Sequence, residues 1–459
     1  MKQLLLFLSI LVILLVGGCN LPSDSFGDDD EEWDEPDSEV YNTESDDETA
    51  DESSSDEETP RLDNDALLLR EFSFALPLFS TDSAWNQRAD GAAVLAQSDE
   101  QILSLFRVLL GDISTLGGYD EPATDWPFID ISLYDYTVPI FRAGDDIQDV
   151  WICQDDGIVG WAHPKFGIDT EGGPVTVPAP AGAVRPAGPE NDDADGWMVL
   201  YDPDTFISYD YFAATPNLDP ECRGFEGGLV GEKILQAGVV DFFDVRGPGV
   251  NPDTYYSARA VGTPLLAGLI LPEDIKSGVI AHALSFAIPG PRNLSSDPYT
   301  PFSSDYFYPA TTTETDFFNT DPNAIASGQR IRLKQTLVDE DGQVIDEEQL
   351  APITRMFLQA LRDYGAYLVD NSGGFTFYAE DVHTAVLNLS DDEVNALIGE
   401  PPGTPLPEGM TKWQIVIERL GEDLGMIPLA VSPGDEEPDP KTALVEFANF
   451  EVVEPAEIP

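Results

Sequence analysis

Residues 352–381 constrain the fold more than any other stretch of this chain. Apolar side chains recur there at three- and four-residue steps, which places them on one face of a helix. They are Ile353, Met356, Phe357, Ala360, Leu361 and Tyr364. Pro352 suits the first helical turn, and Gly365 suits the end because glycine adopts the left-handed conformation found there. Strand-like residues 366–370 and 375–378 flank an Asn-Ser-Gly-Gly turn, so we predict a helix packed on a β-hairpin.

Short strand-like runs dominate the rest of the body. They are rich in aromatic and β-branched residues and are separated by Gly, Pro and Asp. They include residues 128–133, 137–141, 149–153, 175–177, 197–201, 206–212, 234–245, 280–288, 306–310, 330–338 and 443–453. Two capping boxes, Ser98 with Gln101 and Ser390 with Glu393, predict further helices. The fold class predicted is therefore α+β, with a strand-rich, antiparallel, sandwich-like core and a few packed helices.

The domain organisation follows from length and composition. The chain has 459 residues, of which 42% are hydrophobic, so it can bury a substantial core. No internal repeat or clear linker interrupts residues 65–459, and we therefore expect one large globular domain there. A division into two domains near residue 250 is the alternative.

The charge of the chain is strongly negative. The formal net charge is -64, from 86 acidic and 22 basic residues. Between Cys19 and Pro60 there are 19 acidic residues and no Lys or Arg. Because such a segment has little to bury and repels itself, we predict that residues 20–64 form a disordered acidic tether. The negative surface also repels phosphates, which argues against nucleic acid as a partner.

The first nineteen residues have the order of an export signal. Lys2 is followed by an apolar run over residues 4–16, which is short for a membrane span. The Val-Gly-Gly-Cys ending at residues 16–19 resembles the lipobox of bacterial lipoproteins. The resemblance implies that the signal peptide within residues 1–19 is removed and that Cys19 becomes the lipidated N-terminus. The alternatives are a plain cleaved signal and a buried apolar helix.

The lipobox resemblance also implies a location. In Gram-negative lipoproteins, a residue such as Asn20 after the cysteine favours sorting to the outer membrane. We therefore expect the protein in the cell envelope, anchored in the lipid bilayer through Cys19 and facing the periplasm or the exterior.

Cys153 and Cys222 are the only cysteines besides Cys19. Because an exported chain meets oxidising conditions, we predict a disulfide between them. A loop of this length gives about 4 kcal/mol of stabilisation by the loop-entropy estimate. Two separate buried thiols are the alternative. Zinc is disfavoured because no second Cys or His stands at ligand spacing.

His282 is the strongest candidate for chemistry among the three histidines. On the predicted strand 280–288, alternation places it on the same face as Leu284 and Phe286. An imidazole that lines a groove can act as a general acid or base. The apolar neighbours favour the alternative, a structural histidine with hydrogen-bonded nitrogens.

Lys334 and Asp370 complete the candidate catalytic set with His282. Lys334 shares a predicted strand face with Arg330 and Arg332, where three cations suit a carboxylated or sulfated ligand or ion pairs with the many acids. Asp370 lies with other acidic residues at the ends of the predicted hairpin. Two carboxyl groups at suitable separation are what glycoside hydrolysis needs, but acids are so common here that the pattern is weakly specific.

Residues 191–196 begin like a calcium-binding loop. Asn191, Asp193 and Asp195 alternate before a glycine, and Asp202 falls where the last ligand of such a loop would lie. Val199 is a poor ligand position, and a plain Asp-Gly turn is the alternative. The sequence predicts no cofactor other than this candidate Ca²⁺, whose ligands would be the three alternating residues.

Several segments of the body resemble an uncharacterised family of secreted bacterial proteins. They are residues 83–86, 195–199, 263–268, 278–284, 354–355 and 377–381. Because the segments are spread over most of the body, the resemblance implies that the body is one such domain. It implies no activity, cofactor or catalytic residue. The acidic turn at residues 339–342 departs from the uninterrupted strand-to-helix passage of that family.

Two hypotheses for function follow from the sequence. The first is a membrane-anchored lipoprotein with a non-catalytic binding or envelope-structural role, with glycans as ligands because Trp and Tyr rings stack on sugars. The second is a carbohydrate-active enzyme, a polysaccharide hydrolase or lyase, with His282, Lys334 and Asp370 at its site. The two differ in whether those side chains converge in one pocket.

Overall fold

The computed structural model describes residues 68–117, 129–134, 136–152, 161–162, 173–188, 194–214, 236–250, 257–295, 305–314, 317–339, 341–429, 448–456 and 458. These residues belong to one compact unit, Asn64–Pro459. The predicted lipidation site Cys19, the predicted disulfide partners Cys153 and Cys222, and the first two predicted calcium ligands Asn191 and Asp193 lie outside the described residues. The anchor, the disulfide and the calcium loop therefore stay predictions.

Helices and strands alternate irregularly along the described residues. The α-helices are α1 Ser98–Leu109, α2 Pro272–Ser277, α3 Pro352–Asp363, α4 Asp391–Ile398 and α5 Lys412–Leu424. The strands are β1 Leu116–Gly117, β2 Ile129–Ser132, β3 Ile140–Ile152, β4 Trp161–Ala162, β5 Gly173–Pro180, β6 Met198–Asp202, β7 Ile207–Phe212, β8 Gln236–Ala237, β9 Val239–Asp244, β10 Leu284–Ile288, β11 Phe318–Asn319, β12 Arg330–Leu333, β13 Ala366–Asn371, β14 Phe375–Tyr378 and β15 Phe450–Val453. Among the described residues, none of these helices is long and apolar enough to span a membrane.

The strands form two large sheets and one small one. The six-stranded sheet has the order β15-β12-β13-β10-β14-β2, and the seven-stranded sheet has the order β4-β9-β7-β6-β3-β5 with β8 paired to β3. Strands β1 and β11 pair by themselves. Both large sheets mix antiparallel pairs with parallel ones, such as β10 with β13 and β3 with β6. The predicted α+β, strand-rich fold is confirmed, and the parallel pairs are a feature that the alternation pattern did not specify.

Alternate residues of the six-stranded sheet enter two different cores. On β10, Leu284 and Phe286 face a core that also contains Phe357 and Leu361 of α3. Ala287, the residue after Phe286, faces a second core. That second core also holds residues of β6, so the two large sheets pack face to face there. The helices cover the outer face of the six-stranded sheet.

The predicted helix is confirmed. It is α3, with proline in its first turn and a buried apolar face. Gly365 follows it at φ +69°, and a Cβ there would lie 2.3 Å from the Ile331 carbonyl oxygen. Glycine is therefore required both for the left-handed conformation and for the close approach of the neighbouring strand.

The predicted hairpin is wrong in one respect. Both strands form, as β13 and β14, but they do not pair with each other. Strand β10 lies between them, parallel to β13 and antiparallel to β14. Because β10 is bonded on both edges inside the sheet, all five of its residues are buried. The turn at residues 371–374 therefore crosses over the end of β10.

Two local predictions near the site also need correction. The strand predicted over residues 280–288 begins only at Leu284, and His282 lies in a bend before it. The capping box predicted at Ser98 does not form, because the Ser98 hydroxyl accepts a hydrogen bond from the distant Val452 amide at 2.8 Å. The capping box of Ser390 and Glu393 does form.

Candidate functional site

His282 is held by two hydrogen-bond acceptors. Its Nδ1 lies 2.9 Å from the Ala283 carbonyl oxygen, and its Nε2 lies 3.2 Å from Oδ2 of Asp274 on α2. A carbonyl and a carboxylate accept but do not donate, so both ring nitrogens must carry protons. The imidazole is therefore a cation paired with a buried carboxylate.

The electrostatics of His282 agree with this geometry. Burial alone would lower the pKa of the imidazole, but the charge of Asp274 and the two hydrogen bonds outweigh it and raise the pKa above its ordinary value. With both nitrogens committed to the protein, neither is free to take a proton from a substrate. The prediction of a structural, hydrogen-bonded histidine fits this arrangement better than a general base.

A small apolar cavity lies beside His282. Its volume of about 10 Å³ suits roughly one water molecule. Leu76, Phe79, Trp85 and Leu266 are among the residues that line it, and neither Lys334 nor Asp370 does. The structure therefore does not bring the three predicted catalytic residues together at this cavity.

Lys334 follows β12 in a different part of the molecule. Its amide donates to the Asn449 carbonyl at 2.9 Å, and its own carbonyl accepts from Arg362 at 3.2 Å. Of the other two predicted cations, Arg332 pairs with Glu451 at 2.5 Å. Arg330 is buried and donates to the Tyr364 and Gln87 carbonyl groups. Arg332 therefore makes the ion pair that the alternative predicted, whereas Arg330 contacts backbone carbonyl groups.

Asp370, by contrast, lies at the end of β13 near a buried arginine that the sequence did not single out. Arg259 is fully buried, and its Nη1 donates to Pro264, Ala267 and Ser285 at 3.3, 3.0 and 3.1 Å. Its Nε and Nη2 have no hydrogen-bond partner among the described residues. One oxygen of Asp370 accepts from the following amide at 2.9 Å, and the other, Oδ2, is likewise unpaired.

Two neighbouring aromatic rings pack against this guanidinium. The Arg259 carbon Cζ lies 4.9 Å from the Tyr378 ring centroid and 5.6 Å from that of Trp197. The two ring centroids are 5.6 Å apart, and the indole N–H of Trp197 has no partner among the described residues. We call this set the Arg259 cluster. It consists of Arg259, Asp370, Tyr378, Trp197, Asp195 and Asp210.

The carboxyl groups of the Arg259 cluster are all perturbed by burial. Burial raises the pKa of Asp210 to about 7, against the Leu265 amide that donates to it at 2.7 Å. Burial raises the pKa of Asp195 to about 6. The pKa of Asp370 lies well above its ordinary value because of burial and the negative charges of Asp195 and Glu314, which Arg259 only partly offsets.

Asp195 connects the cluster with the calcium prediction. It is the third predicted ligand, and its residue is partly exposed. Among the described residues, no group of three or more His, Cys, Asp or Glu side chains could hold a metal ion. The structure therefore places Asp195 beside Asp370, and the other two calcium ligands stay outside the described residues.

The cluster is assembled from distant parts of the chain. Asp210 belongs to β7, Asp370 to β13 and Tyr378 to β14, so it lies where the two large sheets face each other. Gly268, at φ +68°, lets the chain pass so close to β10 that a Cβ would lie 2.4 Å from the Ser285 amide nitrogen. This approach carries the Ala267 carbonyl to Arg259. A single arginine in a loop has no motif, and this is why sequence reasoning missed it.

A second buried arginine has a different environment. Arg70 donates from Nε and Nη2 to Glu380 at 2.7 and 3.0 Å, and from Nη1 and Nη2 to Glu273 at 2.8 and 2.5 Å. Its Nη1 also reaches the Phe72 carbonyl at 2.6 Å. The amides of Leu68 and Arg70 donate to carbonyls of residues 383 and 384. We call this set, Arg70 with Glu273 and Glu380, the Arg70 junction.

His383 is positioned next to this junction. Its Nδ1 lies 2.8 Å from Oδ1 of Asp381, and its Nε2 lies 2.8 Å from Nη1 of Arg185. Because an arginine only donates, Nε2 must accept, and Nδ1 carries the proton that goes to Asp381. Glu380 and Asp381, two of the other acidic residues at the ends of the predicted hairpin, thus make separate structural contacts, one to Arg70 and one to His383.

Comparisons with known proteins add no name to this arrangement. Searches against protein-family models, curated proteins and solved structures found no match for the chain. The resemblances to the lipobox and to the secreted bacterial family therefore stay predictions. Inferences about function rest on the sequence and on the geometry of the Arg259 cluster.

Proposed function

We propose that this protein is a lipid-anchored envelope protein with a non-catalytic binding role, and that the Arg259 cluster is its binding site. One observation carries the proposal, namely that Nε and Nη2 of a fully buried arginine are unpaired near an unpaired carboxyl oxygen of Asp370. Most buried polar groups in proteins are hydrogen-bonded, and an unsatisfied one costs about 1–3 kcal/mol. A ligand that pairs these groups would recover that free energy on binding.

The positions of the predicted catalytic residues support binding rather than turnover. His282 has both nitrogens engaged, and Lys334 follows β12 in a different part of the molecule. Only Asp370 belongs to the Arg259 cluster. General acid–base catalysis requires its groups within hydrogen-bond reach of one substrate, and these three do not converge.

The Arg70 junction supports the anchored part of the proposal. It follows the predicted tether by only a few residues and ties the beginning of the body to Glu273 and Glu380 through a buried guanidinium. The backbone of this segment is also bonded to residues 383 and 384. These contacts fix the position at which the predicted tether would join the body.

The binding role is tested with the full chain on a glycan array that includes neutral, acidic and amino sugars. We expect at least one bound glycan, with the signal lost in Arg259→Lys and retained in the surface control Arg246→Lys. Circular dichroism establishes that each variant is folded. If no glycan binds in an Arg259-dependent manner, the proposed binding role is wrong.

The anchor is tested separately by cell fractionation. We expect the wild-type chain to partition with membranes and Cys19→Ala to be released. A Cys19→Ala chain that still sediments with membranes would refute lipid anchoring through this residue, whatever the array shows.

A carbohydrate-active enzyme is the second candidate. It is favoured by two neighbouring carboxyl groups with raised pKa values, because burial and the charge of Asp195 raise the pKa of Asp370 and burial raises the pKa of Asp195 to about 6. Glycoside hydrolysis uses such a pair. Under the binding proposal, prolonged incubation with an array-positive glycan should release no product. If the wild-type chain releases a product and Asp370→Asn releases none, the enzyme hypothesis is favoured.

A further inference from the structure

We infer that His383 is an acid-sensitive latch, which holds the loop at residues 181–187 while its imidazole is neutral and releases the loop when the imidazole is protonated. The loop leaves β5 and leads toward β6. We call the set of Asp381, His383 and Arg185 the His383 latch. It acts independently of the binding role proposed for the Arg259 cluster.

The Asp381 side of the latch fixes the ring. Both residues are buried, and Oδ1 of Asp381 accepts from the His383 amide at 2.7 Å and lies 2.8 Å from Nδ1 of the ring. Because a carboxylate only accepts, Nδ1 carries a proton whether the imidazole is neutral or charged. The ring therefore cannot turn Nε2 away from Arg185 without losing its hydrogen bond to Asp381.

The Arg185 side of the latch responds to protonation. Nη1 of Arg185 lies 2.8 Å from Nε2 of His383. A guanidinium only donates, so this hydrogen bond exists only while Nε2 keeps its lone pair. A proton on Nε2 removes the acceptor and places two cations at hydrogen-bond distance, where they repel each other. An imidazole ordinarily changes charge between about pH 5 and 8, so acidification in this range breaks the contact.

The other ionisable groups near Asp381 are paired among themselves. Glu380, the preceding residue, belongs to the Arg70 junction. Tyr134, which follows β2, donates to Glu418 of α5 at 2.7 Å. Burial, the hydrogen bond to Glu418 and the charge of Asp381 raise the pKa of Tyr134, so its hydroxyl stays neutral over this pH range. Arg185 is therefore the cation that an imidazolium meets at Nε2.

The loop is tied to the sheet at its two ends. The Ala181 amide donates to a carbonyl of β3 and the Ala187 amide donates to the Trp197 carbonyl, both at 2.9 Å. Among the described residues, no backbone amide of residues 182–186 donates to a backbone carbonyl. The latch thus lies in the stretch without backbone bonds, where the loss of one side-chain contact has its largest effect.

The latch also lies where the described body begins. The His383 carbonyl accepts from the Leu68 amide at 2.9 Å, and the Thr384 carbonyl accepts from the Arg70 amide at 3.0 Å. Leu68 and Val184 pack against the same hydrophobic core. Acidification therefore loosens the loop beside the point at which the predicted tether would join the body.

The experiment measures amide hydrogen exchange of the full chain in detergent by mass spectrometry. Samples at about pH 8 and pH 5 are compared, with labelling times corrected for the pH dependence of intrinsic exchange. We expect peptides that cover residues 181–188 to exchange at least about tenfold faster at the lower pH, the change expected when a hydrogen bond to a charged group is lost. Peptides from α3 should not change, which excludes global unfolding.

His383→Gln is the decisive variant. Its side-chain oxygen can still accept from Arg185, but it cannot gain a charge, so exchange of the loop should be the same at both pH values. His282→Gln is the matched control and should keep the pH dependence of the wild type. Loop exchange that is equal at both pH values in the wild type, or that still depends on pH in His383→Gln, overturns the latch.

Nitrogen NMR of the wild-type chain with isotope-labelled histidine tests the latch without any variant. The chain has three histidines, so the spectrum is simple. At about pH 8 we expect one imidazole to be neutral with its proton on Nδ1, and its Nε2 should gain a proton in the pH range in which the loop loosens. If no imidazole has this tautomer, or if its protonation does not coincide with faster loop exchange, the latch is wrong even where His383→Gln does not fold.

Discussion

Arg70 and Arg259 are both buried, both lie near carboxyl groups, and both contact two aromatic rings, but their donors are used differently. Arg70 gives its Nε and Nη2 edge to Glu380 and its other donors to Glu273 and a carbonyl. Arg259 bonds through Nη1 alone, and its Nε and Nη2 have no partner among the described residues.

The difference separates a structural contact from a binding site. A buried arginine with every donor paired stabilises a particular arrangement of the chain, here the attachment of residues 68–74 to the body. A buried arginine with unpaired donors is a cost to the folded state unless something else pairs them. Burial and composition are alike in the two places, so only the count of satisfied donors distinguishes them.

The largest expected effect is the loss of the Arg70 junction. Arg70→Met keeps most of the side-chain volume but leaves Glu380 and Glu273 without their cation. We expect the free energy of unfolding in urea to fall by about 3–5 kcal/mol, as when one partner of a buried ion pair is removed. Arg88→Met is the matched control, since Arg88 pairs with Asp90 at the surface and should lose less than about 1 kcal/mol. A loss at Arg70 no larger than at Arg88 would contradict a buried, structural junction.

A smaller loss of stability is expected when the Arg259 cluster is changed. Arg259→Met removes the hydrogen bonds of Nη1 but also removes two unpaired donors, and the buried acids beside it can remain protonated. We expect the free energy of unfolding to fall by about 1–3 kcal/mol, less than for Arg70→Met under the same conditions. If Arg259→Met were the more destabilising change, the distinction between the two arginines would fail.

The acids of the cluster should make stability depend on pH. Burial raises the pKa of Asp210 to about 7, whereas the unfolded value is about 3.9. The stabilisation from the protonated group is thus complete below about pH 3.9 and is lost as the pH rises toward 7. Asp210→Asn stays neutral throughout, so its stability relative to wild type should increase between pH 4 and 7, by about 1–3 kcal/mol. Urea unfolding of both proteins between pH 4 and 7 measures this difference. A stability of Asp210→Asn relative to wild type that falls as the pH rises would contradict the raised pKa.

The smallest effect concerns His282. Asp274 raises the pKa of its imidazole in spite of burial, so the ion pair stabilises the folded state fully below about pH 6.5 and less as the pH rises through the raised pKa. The free energy of unfolding of the wild type should exceed that of His282→Gln by about 1 kcal/mol at pH 6, and this difference should shrink toward pH 9. Urea unfolding at both values measures it. An advantage that grows with pH would mean that the imidazole is neutral.

Short-range patterns were the part of the fold that the sequence determined. The apolar face of α3, its end before Gly365 and the capping box of Ser390 with Glu393 all depend on residues within a few positions of each other. The alternation on β10 also fixed which side chains share a face. The α+β, strand-rich fold follows from such signals, because helices and strands are selected mainly by local periodicity.

Long-range pairing was decided only by the tertiary structure. The insertion of β10 between β13 and β14, and the capture of the Ser98 hydroxyl by Val452, depend on segments that are far apart in the chain. So does the Arg259 cluster, which joins a loop arginine to acids of β7 and β13. Among the predicted site residues, Asp370 and Asp195 meet there and His282 and Lys334 do not. A carboxyl group or an arginine carries no sign in the sequence of whether its hydrogen bonds will be satisfied, because that depends on which distant groups the fold brings within about 3 Å.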